Sequence, residues 1–232
     1  MTITVHHLQV SQSERIVWLC EELGLDYNLQ LYKRSPIFSP PEIKALNPLG
    51  AAPILDDDSF GTPIRLSESA AIVEWIVQKH GNGKLFLDKS HKDYADFLYW
   101  WHASNGTIQP AVSRVLAVSS AARGDPNNPT LSNYVNRLKI LFDHVNERLL
   151  KVPHLAGEEF TAADIMTVFS FTTMRVFYPV PLEGYDGILR WLQRCTDRAA
   201  YKRALGKSDP EMKPQIGAEA PELFPPIKAM RG

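Results

Sequence analysis

The sequence predicts an α/β unit followed by an all-helical unit, and two observations carry this prediction. Before residue 81, short β-rich segments alternate with amphipathic helical segments. After Gly81-Asn82-Gly83 the apolar residues recur only at helical spacing, and no strand pattern returns. We therefore place one domain at residues 1–83 and an all-helical domain at 84–232, with an irregular tail from about residue 207.

The first eighty residues are expected to follow the order β-α-β-α-β-β-α. A β-rich segment at Thr2–Leu8 precedes a helix, for which Ser11–Ser13 offers cap residues and Gly24 marks the end. The other predicted elements are a strand at Tyr27–Tyr32, a helix from Pro40-Pro41 to just before Asn47, a hairpin of Pro53–Leu55 and Ile64–Leu66 around the turn Asp56–Gly61, and a helix from about Glu68 to His80 capped by Ser67.

The second half is expected to contain four helices. A helix over about 92–121 carries one apolar face at Tyr94, Leu98, Trp101, Ile108, Val112 and Val115. The others are a helix with apolar positions Tyr134, Leu138, Leu141, Val145 and Leu149 after a loop at 124–129, a helix that starts at the capping-box-like Thr161–Asp164 and runs through Tyr178, and a shorter helix at Ile188–Arg198.

Composition excludes several classes of protein. The 25 Lys and Arg residues nearly cancel the 26 Asp and Glu residues, and the net charge of −1 offers no patch for nucleic acid. The two cysteines, Cys20 and Cys195, have neither disulfide-scaffold nor zinc-ligand spacing. No signal peptide or membrane-length apolar run is present. The pattern indicates a cytoplasmic protein with a small, neutral or amphipathic partner.

Four short motifs occur in a fixed order along the chain. They are Ser11-Gln12-Ser13-Glu14-Arg15, Asn47-Pro48-Leu49-Gly50-Ala51-Ala52-Pro53, Glu68-Ser69-Ala70-Ala71-Ile72 and Thr161-Ala162-Ala163-Asp164-Ile165. With the order β-α-β-α-β-β-α of the thioredoxin fold and the helical domain after it, the chain resembles the glutathione transferases over residues 3 to about 200. It is most similar to serine-type fungal and bacterial members.

This resemblance implies a detoxification enzyme that activates the glutathione thiol as a thiolate and conjugates it to a small hydrophobic electrophile, with hydroperoxide reduction as an additional activity. It also implies a homodimer, glutathione as co-substrate and no further cofactor. A non-catalytic or regulatory protein that binds glutathione or apolar ligands remains the alternative, and a helper enzyme of a biosynthetic pathway is a third. Neither nucleic acid nor a membrane span is expected.

Ser11 and Ser13 are the predicted catalytic residues because they lie where a strand turns into a helix. Lowering a thiol pKa of about 8.5 by about two units needs about 2.7 kcal/mol. A hydrogen bond to a charged group contributes about 1.5–3 kcal/mol and a helix start up to about 2 kcal/mol. A hydroxyl at a helix start therefore suffices without a general base. A plain helix-capping serine is the competing interpretation; by the resemblance, Ser11 donates to the thiolate and Ser13 caps.

The motifs that contain Ala52-Pro53 and Glu68-Ser69 are the candidates for binding the other parts of glutathione. The resemblance makes Pro53 a cis-proline that turns the backbone of Ala52 towards the cysteinyl unit, whereas a trans-proline at a strand start is the ordinary interpretation. Ser69, at a helix start, suits a carboxylate, and Glu68 suits an ammonium group. Together they fit the γ-glutamyl head, although capping by Ser69 and a first-turn acid explain the same residues.

The position of Ala51 departs from the family pattern, in which a basic or amide side chain reaches the glycine carboxylate. Lys44 or Arg15 is expected to take that role, or the glycine end is held loosely. For the acceptor, Tyr99, His102 and Asn105 are the candidates on the first long helix, and Phe177 and Tyr178 are similar candidates at the end of a later apolar helix. A core helix with one satisfied polar residue at Asn105 is the simpler interpretation.

The remaining polar candidates are predicted to be structural. His6, His7 and His102 do not form a metal set, so solvent or packing roles are expected for them. Cys20 lies on the buried stripe of the first helix and is expected in the core rather than as a redox nucleophile. Asp164 is expected to cap a helix within the second domain.

Overall fold

The structure is a computed structural model that describes residues 2–122, 125 and 127–231. Its first part is a four-stranded mixed sheet, and its strands are β1 (Ile3–Leu8), β2 (Asn28–Tyr32), β3 (Ile54–Asp57) and β4 (Ile64–Ser67). The order across the sheet is β2-β1-β3-β4. β1 runs parallel to β2 and antiparallel to β3, and β3 and β4 form the predicted hairpin. The predicted thioredoxin-like order is confirmed.

Three helices connect these strands: α1 (Glu14–Leu23), α2 (Pro41–Leu46) and α3 (Ser69–Lys79). α1 ends as predicted, because Gly24 adopts the left-handed conformation (φ 63°) and donates to the carbonyls of Cys20 and Glu21. The expected cap of α3 is wrong. Ser67 is the last residue of β4, and the position before α3 is taken by Glu68 at φ 75°.

The helices after residue 86 are α4 (Tyr94–Ala103), α5 (Gln109–Ala121), α6 (Pro129–Lys151), α7 (Ala162–Phe171), α8 (Asp186–Asp197), α9 (Ala199–Ser208) and α10 (Pro225–Arg231). The single helix predicted over 92–121 is interrupted by a π-helical turn at Ser104–Ile108. A π-helical turn inserts a residue and so changes the helix face that is buried. Phe97 and Trp100 are buried before it, and Leu98 from the predicted face is 36% exposed.

Two other expectations for the helical part are wrong, and a third falls partly on residues that the structure does not describe. α7 ends at Phe171 and a 3₁₀ turn follows at Thr173–Val176, so the helix does not run through Tyr178. α9 was not predicted, and the tail expected to be irregular contains α10. The loop predicted at 124–129 includes Gly124 and Pro126, which lie outside the described residues.

The backbone divides into two compact units. One combines residues 1–86 with 196–214 and 229–232, and the other combines 87–195 with 215–228. The sequence assigned 196–214 to the second domain, whereas here this segment packs with the sheet-bearing unit. The Trp18 and Tyr201 rings meet edge to face at 5.0 Å, and Arg198 forms two hydrogen bonds to the carboxylate of Glu22. α9 is therefore an integral part of the first unit.

In the second unit, the buried Arg175 fixes the segment after residue 214. Its guanidinium donates to the carbonyls of Gln215, Gly217 and Glu219 at 2.7–3.2 Å. The Phe224 ring packs against Phe177 with 5.3 Å between centroids. Over the described part of the chain, none of the helices combines the length and apolar character that crossing a membrane requires.

Candidate functional site

The candidate site begins where β1 ends and α1 starts. Ser11 lies in this turn and is 6% exposed, while Ser13 immediately precedes α1 and is fully buried. The Glu14 amide donates to the Ser11 carbonyl over 3.1 Å, so the turn leads directly into the helix. The amide groups of a first helical turn make this a favourable place for an anion. Both predicted serines therefore lie at the expected junction.

The two serine hydroxyls contact each other rather than acting separately. Their Oγ atoms are 2.7 Å apart, and the Ser13 amide donates to Ser11 Oγ over 3.2 Å. The expectation that Ser13 caps α1 is wrong, because its side chain makes no capping hydrogen bond. Instead, Ser13 Oγ accepts from the Leu8 amide at 3.0 Å and lies 2.9 Å from His7 Nδ1. The close return to β1 draws the hydroxyl away from the helix amides.

His7 and Asp209 extend this hydrogen-bonded chain. His7 Nε2 lies 2.9 Å from Asp209 Oδ2, and both side chains are buried. Asp209 also accepts a hydrogen bond from the amide of Val10, a residue that adopts a positive φ of 49°. Arg34 donates to the carbonyls of Gln9 and Val10, so the turn before Ser11 is held from two sides. The solvent or packing role expected for His7 does not include this contact, and Asp209 was not predicted, because nothing local to His7 indicates a partner at position 209.

A second cluster joins the starts of α1 and α3. The fully buried Arg15 donates from Nη1 to Ser69 Oγ and to Gln12 Oε1, each over 3.2 Å. Burial lowers the pKa of Arg15 to about 9, against a smaller raising effect of Glu14, so the guanidinium is charged at neutral pH. Ser69 is 2% exposed, and Glu68 beside it is exposed. The predicted head-group residues thus stand at one helix start.

The loop before β3 carries the third group of predicted residues. The Ala52–Pro53 peptide bond is cis, as the resemblance implied, and the Ala52 carbonyl accepts from Gln12 Nε2 over 3.0 Å. A carbonyl oxygen has two lone pairs, so this acceptor keeps capacity for a ligand. The Ala51 side chain is exposed, and its carbonyl is held by Asn47 Nδ2 at 3.0 Å.

Of the two cations considered for the glycine end, only Lys44 is exposed. Its side-chain carbons pack over Gly50: a Cβ atom added to this glycine would lie 3.3 Å from Lys44 Cγ. Arg15 is buried and directed at Ser69 and Gln12, so it does not serve position 51. Lys44 therefore remains the candidate for an anion near this loop.

The acceptor candidates lie in the second unit. Tyr99 is 54% exposed, its hydroxyl lies 3.2 Å from His144 Nε2, and its ring packs edge to face on Trp100. His102 is exposed near the end of α4, and Asn105 is half-buried in the π-helical turn. A spacing of three residues within α4 puts Tyr99 and His102 on neighbouring positions of one helical surface. Phe177 and Tyr178 are both half-buried after the 3₁₀ turn.

Both cysteines are buried, and Cys195 belongs to a group of three potential metal ligands of which His154 is half-buried. Burial raises the pKa of the Cys20 thiol to about 12, with a smaller contribution from Glu21, and both cysteines are fully buried. His154, Asp164 and Cys195 bring ligand atoms within 4.8 Å of one another. The Asp164 oxygens already accept from the Leu155 and Thr161 amides and from Trp191 Nε1. Asp164 is thus the structural residue that the sequence predicted.

Two protein-family models match the chain. The model of the glutathione S-transferase N-terminal domain matches residues 11–79, and that of the C-terminal domain matches residues 100–199. Among curated proteins, glutathione S-transferase 3 of Schizosaccharomyces pombe is 31% identical, over 88% of this chain and 87% of its own. Glutathione S-transferase 1 of Saccharomyces cerevisiae is 29% identical, with 89% and 97% covered. The disulfide-bond oxidoreductase YfcG of Escherichia coli is 27% identical, with 94% and 98% covered.

Solved structures give the same picture. A glutathione S-transferase from Actinobacillus pleuropneumoniae has a TM-score of 0.78 and 32% identity, over 90% of this chain and 93% of its own. A glutathione transferase from Burkholderia graminis, crystallised with two glutathione molecules per subunit, has a TM-score of 0.74 and 23% identity, with 90% and 89% covered. The second likeness concerns the fold alone.

Proposed function

Since the chain belongs to the glutathione S-transferase family, we propose that its first unit binds glutathione and that Ser11 holds the sulfur as a thiolate for transfer to a small apolar electrophile. The observation that carries this proposal is the position of the Ser11 hydroxyl. It lies at the start of α1, 6% exposed, beside the buried Ser13 and before the first helical turn. A hydroxyl donor and a helix start together stabilise a nearby anion.

The rest of the tripeptide fits the neighbouring groups. We assign the γ-glutamyl carboxylate to Ser69 and its ammonium group to Glu68, because one is a buried hydroxyl at a helix start and the other an exposed carboxylate beside it. The backbone of Ala52, next to cis-Pro53, is assigned to the cysteinyl unit. Lys44 is assigned to the glycine carboxylate in place of a side chain at Ala51.

The reaction follows from the thiolate. Its sulfur lone pair forms a bond to an electrophilic carbon, and the leaving group departs with its electron pair or the electrons move into a conjugated system. Catalysis consists of nucleophile activation and proximity. We propose Tyr99, His102 and Asn105 as residues that contact the acceptor. The same thiolate reduces a hydroperoxide or a disulfide when its sulfur attacks oxygen or sulfur instead of carbon. The O–O or S–S bond then breaks, and the leaving alkoxide or thiolate keeps the electron pair and takes up a proton. A second glutathione converts the resulting sulfenate or mixed disulfide to glutathione disulfide, with release of water or thiol. The name of the YfcG relative makes disulfide reduction worth measuring here.

Replacement of Ser11 tests the function. Ser11→Ala removes one hydrogen bond to a charged sulfur, so we expect the thiolate absorbance near 240 nm to titrate about one to two pH units higher and the conjugation rate at pH 7 to fall at least tenfold. Ser113→Ala is the matched control, since that exposed hydroxyl donates to the Gln109 carbonyl of its own helix. Equal titrations for Ser11→Ala and the wild type would refute the role of Ser11.

The non-catalytic alternative makes a different prediction. A protein that only holds glutathione or apolar ligands is retained on a glutathione resin but turns over neither model electrophiles, cumene hydroperoxide nor mixed disulfides. Steady-state assays of all three substrate classes on resin-purified protein separate the two functions. We further propose a cytoplasmic homodimer, and sedimentation velocity at several protein concentrations measures the mass of the assembly.

A further inference from the structure

The buried chain Asp209–His7–Ser13–Ser11 has the connectivity of a proton relay that ends at the proposed sulfur site. Its three links are 2.9 Å between Asp209 Oδ2 and His7 Nε2, 2.9 Å between His7 Nδ1 and Ser13 Oγ, and 2.7 Å between the two serine oxygens. His7, Ser13 and Asp209 are each at most 5% exposed. All four residues belong to the first unit.

The number of hydrogens and lone pairs on Ser13 restricts how this chain can be arranged. A serine hydroxyl has one proton and two acceptor sites. The Leu8 amide occupies one acceptor site of Ser13. The Leu8 carbonyl lies 3.3 Å from Ser13 Oγ, farther than His7 Nδ1 at 2.9 Å and Ser11 Oγ at 2.7 Å, so we assign the remaining acceptor site and the one proton to the contacts with His7 and Ser11. An oxygen–oxygen distance of 2.7 Å requires a proton between the two serines. The chain is therefore polarised in one of two directions.

In the inward arrangement, Ser11 donates to Ser13 and Ser13 donates to a bare His7 Nδ1, while His7 Nε2–H donates to Asp209. In the outward arrangement, His7 carries protons on both nitrogens, Ser13 donates to Ser11, and Ser11 Oγ accepts from both the amide and the hydroxyl of Ser13. Both acceptor sites of Ser11 are then filled. The Ser11 proton is left to donate outside the chain.

The two arrangements differ by one proton on His7. Resting on the proposed function, we propose that the glutathione thiol passes its proton through Ser11 and Ser13 to His7, and that Asp209 stabilises the resulting imidazolium. The S–H bond breaks and an Nδ1–H bond forms, and each serine oxygen gains one proton and loses one. The product is a thiolate that accepts from the Ser11 hydroxyl, so the proton stays within the protein. His7, Ser13 and Asp209 act on the sulfur only through Ser11 and are positioning residues.

The surroundings of His7 suit a positive charge held by one carboxylate. Asp209 faces Nε2, and it also accepts from the Val10 amide, which fixes the orientation of the carboxylate. The second charged group close to this carboxylate is Arg34, whose guanidinium is bound to the Gln9 and Val10 carbonyls. On the sheet, the neighbour of His7 in β2 is the apolar Leu31. The Asp209 carboxylate is thus the direct counter-charge of an imidazolium at His7.

Proton release on binding is the first test. The wild-type protein is mixed with glutathione in weak buffer with an indicator dye at pH 7.5, while the absorbance near 240 nm counts the thiolate formed. We expect glutathione to form thiolate at the binding site while much less than one proton per site is released to the buffer. One full proton per thiolate overturns the relay and leaves the role of Ser11 standing. If no thiolate forms, both the relay and the proposed function fail.

Nitrogen NMR of His7 gives a second, independent readout. In protein labelled with ¹⁵N-histidine, we expect the Nδ1 signal to move from the bare to the protonated range when glutathione is added. S-methylglutathione, which has no thiol proton, is expected to leave it in the bare range. A His7→Gln sample assigns the signals among the seven histidines. An Nδ1 signal that responds equally to both ligands, or to neither, contradicts the relay.

Two variants break the chain without removing Ser11. Asp209→Asn keeps an oxygen for the Val10 amide but loses the counter-charge, and Ser13→Ala removes the link between His7 and Ser11. We expect each variant to raise the midpoint pH of the thiolate titration by about one unit, so that at pH values below the midpoint about tenfold less thiolate is present. Each variant should also release the thiol proton to the solvent. Glu211→Gln, an exposed acid two residues from Asp209, is the matched control. Circular dichroism checks that each variant is folded, and wild-type titrations in both folded variants overturn the proposal.

Discussion

Arg15 Nη1 donates to Ser69 Oγ over 3.2 Å, and this contact joins the first turn of α1 to the first turn of α3. The same nitrogen donates to Gln12 Oε1, and Gln12 in turn donates to the Ala52 carbonyl. One buried cation therefore sets the relative positions of three segments that the proposed function assigns to glutathione.

Replacement of Arg15 should affect both folding and binding. Arg15→Met keeps an apolar stem but leaves the Ser69 and Gln12 oxygens without this donor, so we expect the free energy of unfolding to fall by about 2–3 kcal/mol. The matched control is Arg65→Met, which breaks an exposed ion pair with Asp56 and should cost less than about 1 kcal/mol. Urea denaturation compares the two, and calorimetry should show weaker glutathione binding only for Arg15→Met. Equal losses of stability would contradict the structural role of Arg15.

Glu68 should show a conflict between stability and binding. Its φ of 75° with ψ of 115° is a conformation that glycine adopts far more readily than glutamate. Because Glu68 is exposed, Glu68→Gly loses little packing and should raise the free energy of unfolding by about 1 kcal/mol. Glu68→Gln keeps the backbone strain and should change stability by less than about 0.5 kcal/mol. Thermal melts measure both effects.

The same two variants test the role of the Glu68 carboxylate. If this carboxylate binds the ammonium group of glutathione, both variants should lower the affinity for glutathione by a similar factor, although only Glu68→Gly is more stable than the wild type. Deaminated glutathione, which lacks that ammonium group, is the matched ligand and should bind the wild type and both variants alike. Unchanged glutathione affinity in Glu68→Gln would remove Glu68 from the site.

Asp57 should make the protein sensitive to acid. Burial alone raises the pKa of this carboxyl, but hydrogen bonds from His80, Trp75 and Ser59 outweigh it and hold the pKa below the ordinary range. As pH falls, the unfolded chain therefore takes up the proton first. The contribution of Asp57 to stability is complete above about pH 4 and is lost progressively below it.

Asp57→Asn tests this dependence. At pH 7 we expect it to lower the free energy of unfolding by more than about 1 kcal/mol, because the neutral amide replaces a charged acceptor of three hydrogen bonds. The difference from the wild type should shrink as pH falls below about 4. Glu74→Gln, an exposed acid on α3, is the control. A difference that stays constant between pH 7 and pH 3 would argue against the lowered pKa.

The cysteines should be unreactive in the folded protein. Cys20 and Cys195 are fully buried, and because burial raises the pKa of the Cys20 thiol to about 12, this thiol stays protonated at pH 8. Ellman's reagent should therefore label neither cysteine in native protein and two per chain in guanidinium. Free glutathione serves as the positive control. Rapid native labelling at Cys20 would favour a cysteine-based mechanism over a serine-based one.

The local features of the first unit could be predicted from the sequence. The β-rich segment before Ser11, the helix stop at Gly24 and the β3–β4 hairpin all depend on neighbouring residues, and the structure contains each of them. The turn of that hairpin starts later than predicted, because Asp56 and Asp57 belong to β3 and pair with β4. The family resemblance added the cis bond at Pro53, which sequence alone disfavours. Ser11, Ala52, Glu68 and Ser69 were named on motifs, and their roles in binding stay predictions.

Only the tertiary structure placed the partners that lie far apart along the chain. Ser11 and Ser13 were predicted from the sequence, whereas only a solvent or packing role was expected for His7, since Asp209, which lies 2.9 Å from its Nε2, is 202 residues away. The sequence also predicted no helix at α9, and nothing in the sequence around Arg198 or Tyr201 indicates that these side chains contact Glu22 and Trp18 of α1. Local propensities and caps act within a few residues, so they specified the turn at Ser11. The direction of its hydroxyl depends on contacts that only the folded chain brings together.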